Sequence, residues 1–76
     1  MKAFVLIKIR TGDVGVVVQQ LRELESVQEA HMTFGPYDAI AIVDSADLSA
    51  IGTLVASSVQ PISGIEQTLT CLVADV

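Results

Sequence analysis

The 76-residue chain contains one cysteine, Cys71, one histidine, His31, and no tryptophan. A lone cysteine cannot close an intrachain disulfide. One histidine with no Cys-x-x-C pair does not supply the ligands of a tetrahedral zinc site, so no metal is expected. Basic residues are scarce, four against nine acidic, and the formal charge of −5 repels phosphate backbones and anionic lipid alike. Nucleic acid is thereby excluded as a direct partner. Long apolar runs are lacking too. The N-terminal stretch MKAFVLIKIRTGD is broken by Lys8 and Arg10, too soon for a signal-peptide core or a membrane span. The expected location is the cytoplasm, where a reduced thiol persists. Gly12, Gly15, Gly52 and Gly64 match no phosphate-cradling spacing, and no cofactor is expected.

What the chain has in plenty is apolar side chains, 51% of its residues. A domain this small buries too little surface to be comfortably stable alone, and it has too little interior to hide so much apolar surface. With disulfides and metals removed from the possible supplements, oligomerisation remains.

Along the chain the hydrophobic period changes in a regular order, without linkers or low-complexity segments. Residues 3 to 10 (AFVLIKIR) are β-branched and aromatic and end at Thr11-Gly12-Asp13, which predicts a first strand. Val14, Val17, Val18, Leu21 and Leu24 recur on one helical face, and Thr11 and Asp13 offer caps at its start. Residues 27 to 34 (VQEAHMTF) alternate as a second strand, followed by a Gly35-Pro36 turn and a third strand from Tyr37 to Val43. Asp44-Ser45 then opens a second helix with Leu48, Ile51, Leu54, Val55 and Val59 as its buried stripe, and Pro61 forbids its continuation. Ile65 to Ala74 read as the fourth strand.

The order strand, helix, strand, strand, helix, strand predicts an α+β, ferredoxin-like βαββαβ fold with a four-stranded antiparallel sheet, strands one and three central. Strand three is apolar on both faces and strand one nearly so. Strands two and four are expected to turn Ala30, Met32, Phe34 and Leu69, Cys71, Val73 to one side, and Glu29, His31, Thr33 and Glu66, Thr68, Thr70 to the other. Cys71 is therefore expected to face the helices, where burial raises a thiol's pKa and makes it inert. Two helices cover one face only. The second face suits another sheet, so a two-fold dimer packed sheet to sheet, a dimeric α+β barrel, is predicted with Phe4, Leu6, His31, Thr33 and Ile40 at its interface.

Three stretches carry a family resemblance: Val27-x-x-Ala30, Thr33-Phe34-Gly35-Pro36-Tyr37-Asp38, and Gly64-Ile65-x-x-Thr68-x-Thr70. In these spacings and in its element order the chain resembles the effector-binding RAM domain of the Lrp/AsnC, or feast/famine, regulators over nearly its whole length. The strand that starts at residue 3 leaves no room for the family's N-terminal helix-turn-helix, so the resemblance implies a single stand-alone RAM domain over residues 1–76. It further implies a small effector, mostly an amino acid, bound between neighbouring dimers of a ring at the Gly-x-Tyr-Asp turn. Full-length family regulators are the implied partners.

On this resemblance the ligand-binding residues are Gly35, Pro36, Tyr37, Asp38, Thr68 and Thr70. The residue types suit the task. Asp38 can accept from an α-ammonium, Tyr37 offers a ring wall with a polar tip, Gly35 leaves backbone accessible, and the two threonines offer hydroxyls. Structural roles stay open at each position: turn chemistry for Gly35 and Pro36, bonds to the turn's own amides for Asp38, an interface aromatic for Tyr37, and ordinary strand propensity for Thr68 and Thr70. No residue is assigned a catalytic role, because His31 has no fixed partner in the local sequence. The implied function is an amino-acid-binding and oligomerisation module that modulates transcription by co-assembly with full-length regulators. The alternatives are a cofactor-free monooxygenase or isomerase of the dimeric α+β barrel type, or a structural adaptor without a ligand. Those enzymes need a polar pocket between sheet and helices, whereas the positions expected there are aliphatic.

Overall fold

A computed structural model describes residues 1–75 of the chain. Its elements are β1 (Lys2–Ile9), α1 (Val14–Arg22), β2 (Val27–Met32), β3 (Ala39–Asp44), α2 (Leu48–Leu54), which continues as a π-helical turn (Val55–Val59), and β4 (Ile65–Leu72). The four strands form one antiparallel sheet in the order β2-β3-β1-β4, so the two doubly apolar strands lie in the middle, as their composition predicts. This is the ferredoxin-like order.

Both helices pack on one face. From the sheet Ala3, Val5, Ile7, Ile9, Ala30, Ala39, Ala41 and Val43 point into the core, and they meet Val17, Val18 and Leu21 of α1 and Ile51, Val55 and Val59 of the second helix. No polar side chain is buried among the described residues. Each fully buried branched aliphatic contributes about 1.5–3 kcal/mol, which makes this single layer the main source of stability.

The helix starts differ from the sequence expectation. Asp13 precedes α1 but does not cap it; its carboxylate pairs instead with Arg10 at 2.7 Å. Asp44 ends β3, and Asp47 is the true cap of α2, accepting from the amide of Ala50 at 2.8 Å. The choice follows from strand length: β3 runs through Asp44 to pair with Lys2, which postpones the helix. At the far end a π turn keeps Val55 and Val59 both in the core, with the Gln60 amide donating to the Val55 carbonyl at 2.8 Å.

The facing of β4 also needs correction. Thr70 pairs with Val5 and Thr68 with Ile7, so both threonines stand on the helix side, while Cys71 and Leu69 pair with Phe4 and Leu6 on the uncovered face. Cys71 is exposed. Both sets were compatible with a period of two, and the pairing register with β1 decided between them. The uncovered face is consequently polar along β2, where Glu29 and His31 stand opposite Ile42 and Ile40, and at its two ends, where Lys2 pairs with Asp44 and Lys8 with Gln67.

Gly64, between the second helix and β4, is held by sterics. Its φ is +103°, and a Cβ there would lie 3.0 Å from Cβ of Asp13 and 3.2 Å from Cγ2 of Val17. Only glycine meets both conditions.

Candidate functional site

The tight hairpin expected at Gly35-Pro36 is a six-residue connection, 33–38, because β2 ends at Met32 and β3 begins at Ala39. Polar bonds fix both of its ends. The Thr33 amide donates to the Asp38 carbonyl at 3.0 Å, and the Thr33 hydroxyl donates to the Tyr37 carbonyl at 2.8 Å. Asp38 then ties the segment to β1: its amide donates to the Ile7 carbonyl at 2.9 Å, and its Oδ2 accepts from the Ile9 amide at 2.8 Å. The aspartate side chain therefore bonds a strand 29 residues away in sequence rather than the turn's own amides. One carboxylate oxygen is committed to holding the loop.

Tyr37 is half-buried, and the ammonium of Lys8 lies 5.9 Å from its ring centroid, within cation–π reach. Pro36 and Gly35 are exposed at the tip, and Gly35, at φ +153°, has open space where a side chain would stand. Phe34 is fully exposed, at 109% of its reference area.

Between this loop and the first turn of α1 lies a cleft of about 490 Å³, lined by Val14, Met32, Thr33, Phe34 and Asp38. Its size falls in the range of small-molecule sites. Asp38 is the single charged group in its lining. Val14, Met32 and Phe34 did not figure among the sequence candidates. Phe34 carried a signal, because an aromatic beside a Gly-Pro turn has no turn function; Met32 and Val14 carried none, since each fits a strand or helix stripe.

Thr68 and Thr70 are not part of this cleft. They lie on β4, across β1 from the loop, and two strand spacings amount to roughly 10 Å. The Thr68 hydroxyl accepts from Nε2 of Gln60 at 3.1 Å, and Thr70 is exposed. The fold thus gathers the turn residues at one place and the threonine pair at another.

The uncovered sheet face forms a second feature. It collects Phe4, Leu6, His31, Thr33 and Ile40, the five interface candidates, in one shallow apolar groove with Ile42 and Cys71. Nε2 of His31 lies 3.0 Å from a Glu29 carboxylate oxygen at the β2 side, so the imidazole has a partner on its own strand. No cluster of three or more metal-ligating side chains occurs among the described residues. Among the described residues no helix is long and apolar enough to cross a membrane.

Several solved structures share this architecture. Protein TTHA0845 from Thermus thermophilus is 32% identical, with a TM-score of 0.93 over 99% of this chain and 94% of that one. AsnC of E. coli is 25% identical with a TM-score of 0.92, and the match covers 99% of this chain but 51% of the regulator. The transcriptional regulator NMB0573 of Neisseria meningitidis, solved as a complex with L-Met, shares the fold at 18% identity, with a TM-score of 0.87 over 97% of this chain and 49% of that one. No curated protein sequence matches. A family model described as the Lrp/AsnC ligand binding domain matches residues 2–76, and with that span and this fold the chain belongs to the Lrp/AsnC family, as its ligand-binding domain.

Proposed function

We propose that the protein is an amino-acid-binding and assembly module, cytoplasmic, that modulates amino-acid-responsive transcription by co-assembling with full-length regulators of its family. The observation that carries this reading is the half-buried Asp38 carboxylate set in an otherwise nearly apolar cleft. Oδ2 is held by the Ile9 amide, which leaves the group fixed in place as an acceptor for a ligand ammonium. Gly35, Pro36 and Tyr37 belong to the same loop but do not line the cleft itself. Thr68 and Thr70 reach a ligand held in this cleft only from a neighbouring copy, because β1 separates them from it within one protomer. The L-Met complex of the Neisseria regulator supports the choice of ligand class.

Assembly is proposed to begin with the uncovered sheet face. A second copy packed on Phe4, Leu6, Ile40 and their neighbours would cover the apolar groove by two-fold symmetry, and such dimers would in turn form a ring. The space between sheet and helices, where an α+β barrel enzyme would need a polar pocket, is filled by aliphatic side chains. A thermal-shift screen against the twenty amino acids tests the reading, since a ligand that binds only the folded protein raises its melting temperature by mass action. Stabilisation by one or a few amino acids is expected; a flat response at millimolar concentrations would leave a ligand-free adaptor as the better account.

A further inference from the structure

The chemistry of the cleft goes further than the ligand class. We infer that it selects amino acids with apolar side chains over polar and acidic ones, with Met32 and Phe34 as the specificity determinants, an inference that rests on the amino-acid-binding reading of the same cleft. Three of its five lining side chains, Val14, Met32 and Phe34, are apolar, and Thr33 adds a hydroxyl already donated to the Tyr37 carbonyl. Met32 and Phe34 are exposed to 62% and 109% of their reference areas. They are spare apolar surface beside a fixed carboxylate, and an aliphatic ligand chain lying on them takes apolar area out of water on both sides.

The same lining rejects other ligands. No lysine or arginine lines the cleft, so the side-chain carboxylate of glutamate or aspartate would find no cation there and would face Asp38. A serine-sized polar side chain would reach little of the apolar wall, and the Thr33 hydroxyl, which already donates to the Tyr37 carbonyl, could only accept from it. Methionine itself is unbranched and polarizable, so Met32 can follow ligand chains of different length.

A homologous series makes the test quantitative. Calorimetry with L-alanine, L-2-aminobutyrate, L-norvaline and L-norleucine, with L-serine and L-glutamate as comparisons, is run on the wild type and on Met32→Ala, Phe34→Ala and Asp38→Asn. Burial of a methylene corresponds to about fourfold in affinity, so the dissociation constant should fall about fourfold per added carbon, and glutamate should bind weakest. Met32→Ala and Phe34→Ala should flatten that slope, whereas Asp38→Asn should weaken every member by the same factor of about ten or more and leave the slope intact. Both wall residues are exposed, and their substitution should leave folding unaffected. Equal affinity across the series, a slope indifferent to both wall variants, or glutamate binding as tightly as norleucine would overturn the selectivity while sparing the amino-acid site. Failure of every member to bind would remove that reading and the selectivity with it.

Discussion

Asp38 has two tasks on this account, and a pair of substitutions separates them. Its Oδ2 accepts from the Ile9 amide at 2.8 Å in a partly buried setting, the link that fastens the 33–38 loop to the end of β1. Asp38→Ala removes the acceptor and leaves the amide behind, a loss of about 1–3 kcal/mol, and the partial exposure of the site places the expected value near 2. For a domain of this size about 1 kcal/mol corresponds to about 4–8 °C in melting temperature, so Asp38→Ala should unfold roughly 8–16 °C lower. Asp38→Asn keeps a carbonyl oxygen for the Ile9 amide and gives up only the charge, which should cost about half as much or less. For ligand binding the order differs: both variants lack the carboxylate, and both should lose about tenfold to hundredfold in affinity for an amino acid. Circular-dichroism melts at one fixed protein concentration give the stabilities, since the proposed association would make the midpoint concentration-dependent, and calorimetry gives the affinities. Wild-type affinity in Asp38→Asn would show that the carboxylate serves the Ile9 amide alone. A wild-type melting temperature in Asp38→Ala would show that the 2.8 Å bond contributes nothing measurable.

Further expectations concern the frame around the site. Gly64→Ala places a side chain at φ +103° and 3.0 Å from Cβ of Asp13, and urea unfolding should show a loss of about 2 kcal/mol or more; a loss below about 0.5 kcal/mol would contradict the steric account. Leu6→Glu sets a charge in the middle of the uncovered apolar face, and sedimentation should then show monomer or unfolded chain, against a dimer or larger species expected for the wild type. A wild type that sediments as a stable folded monomer would remove the argument for a sheet-to-sheet partner. Asp47→Ala deletes the side-chain cap of α2 and should cost about 1 kcal/mol by denaturant unfolding, whereas Asp44→Ala, at the strand end, should not reduce capping of that helix.

Element type and order were legible in the residues because periods of two and of 3.6 are local properties. The stripe of Val17, Val18 and Leu21, the doubly apolar runs of strands one and three, and Pro61 after the second helix suffice for a βαββαβ order with those strands central. The uncovered face followed from counting, since two helices cannot cover both sides of a sheet whose middle strands are apolar on both. The family resemblance rested on motif spacing, which survives in sequence because the turn and the Thr-x-Thr pair are each local.

What tertiary structure alone decided is everything that depends on a partner distant in sequence. The residues led to the wrong side of β4 being turned to the helices, because Thr68 and Thr70 on one side and Leu69 and Cys71 on the other both suit a strand; the pairing of Thr70 with Val5 reverses that expectation and puts Cys71 in the open. The role of Asp38 was undecided between a turn bond and a ligand, and its actual partner, the Ile9 amide, lies on a strand that no local pattern connects to the turn. The length of β3, set by its pairing with Lys2, moved the helix cap from Asp44 to Asp47. The cleft exists for the same reason: Val14 opens α1 and Phe34 sits in the loop after β2, 20 residues later, and only the packing of α1 against the sheet brings them together beside one carboxylate.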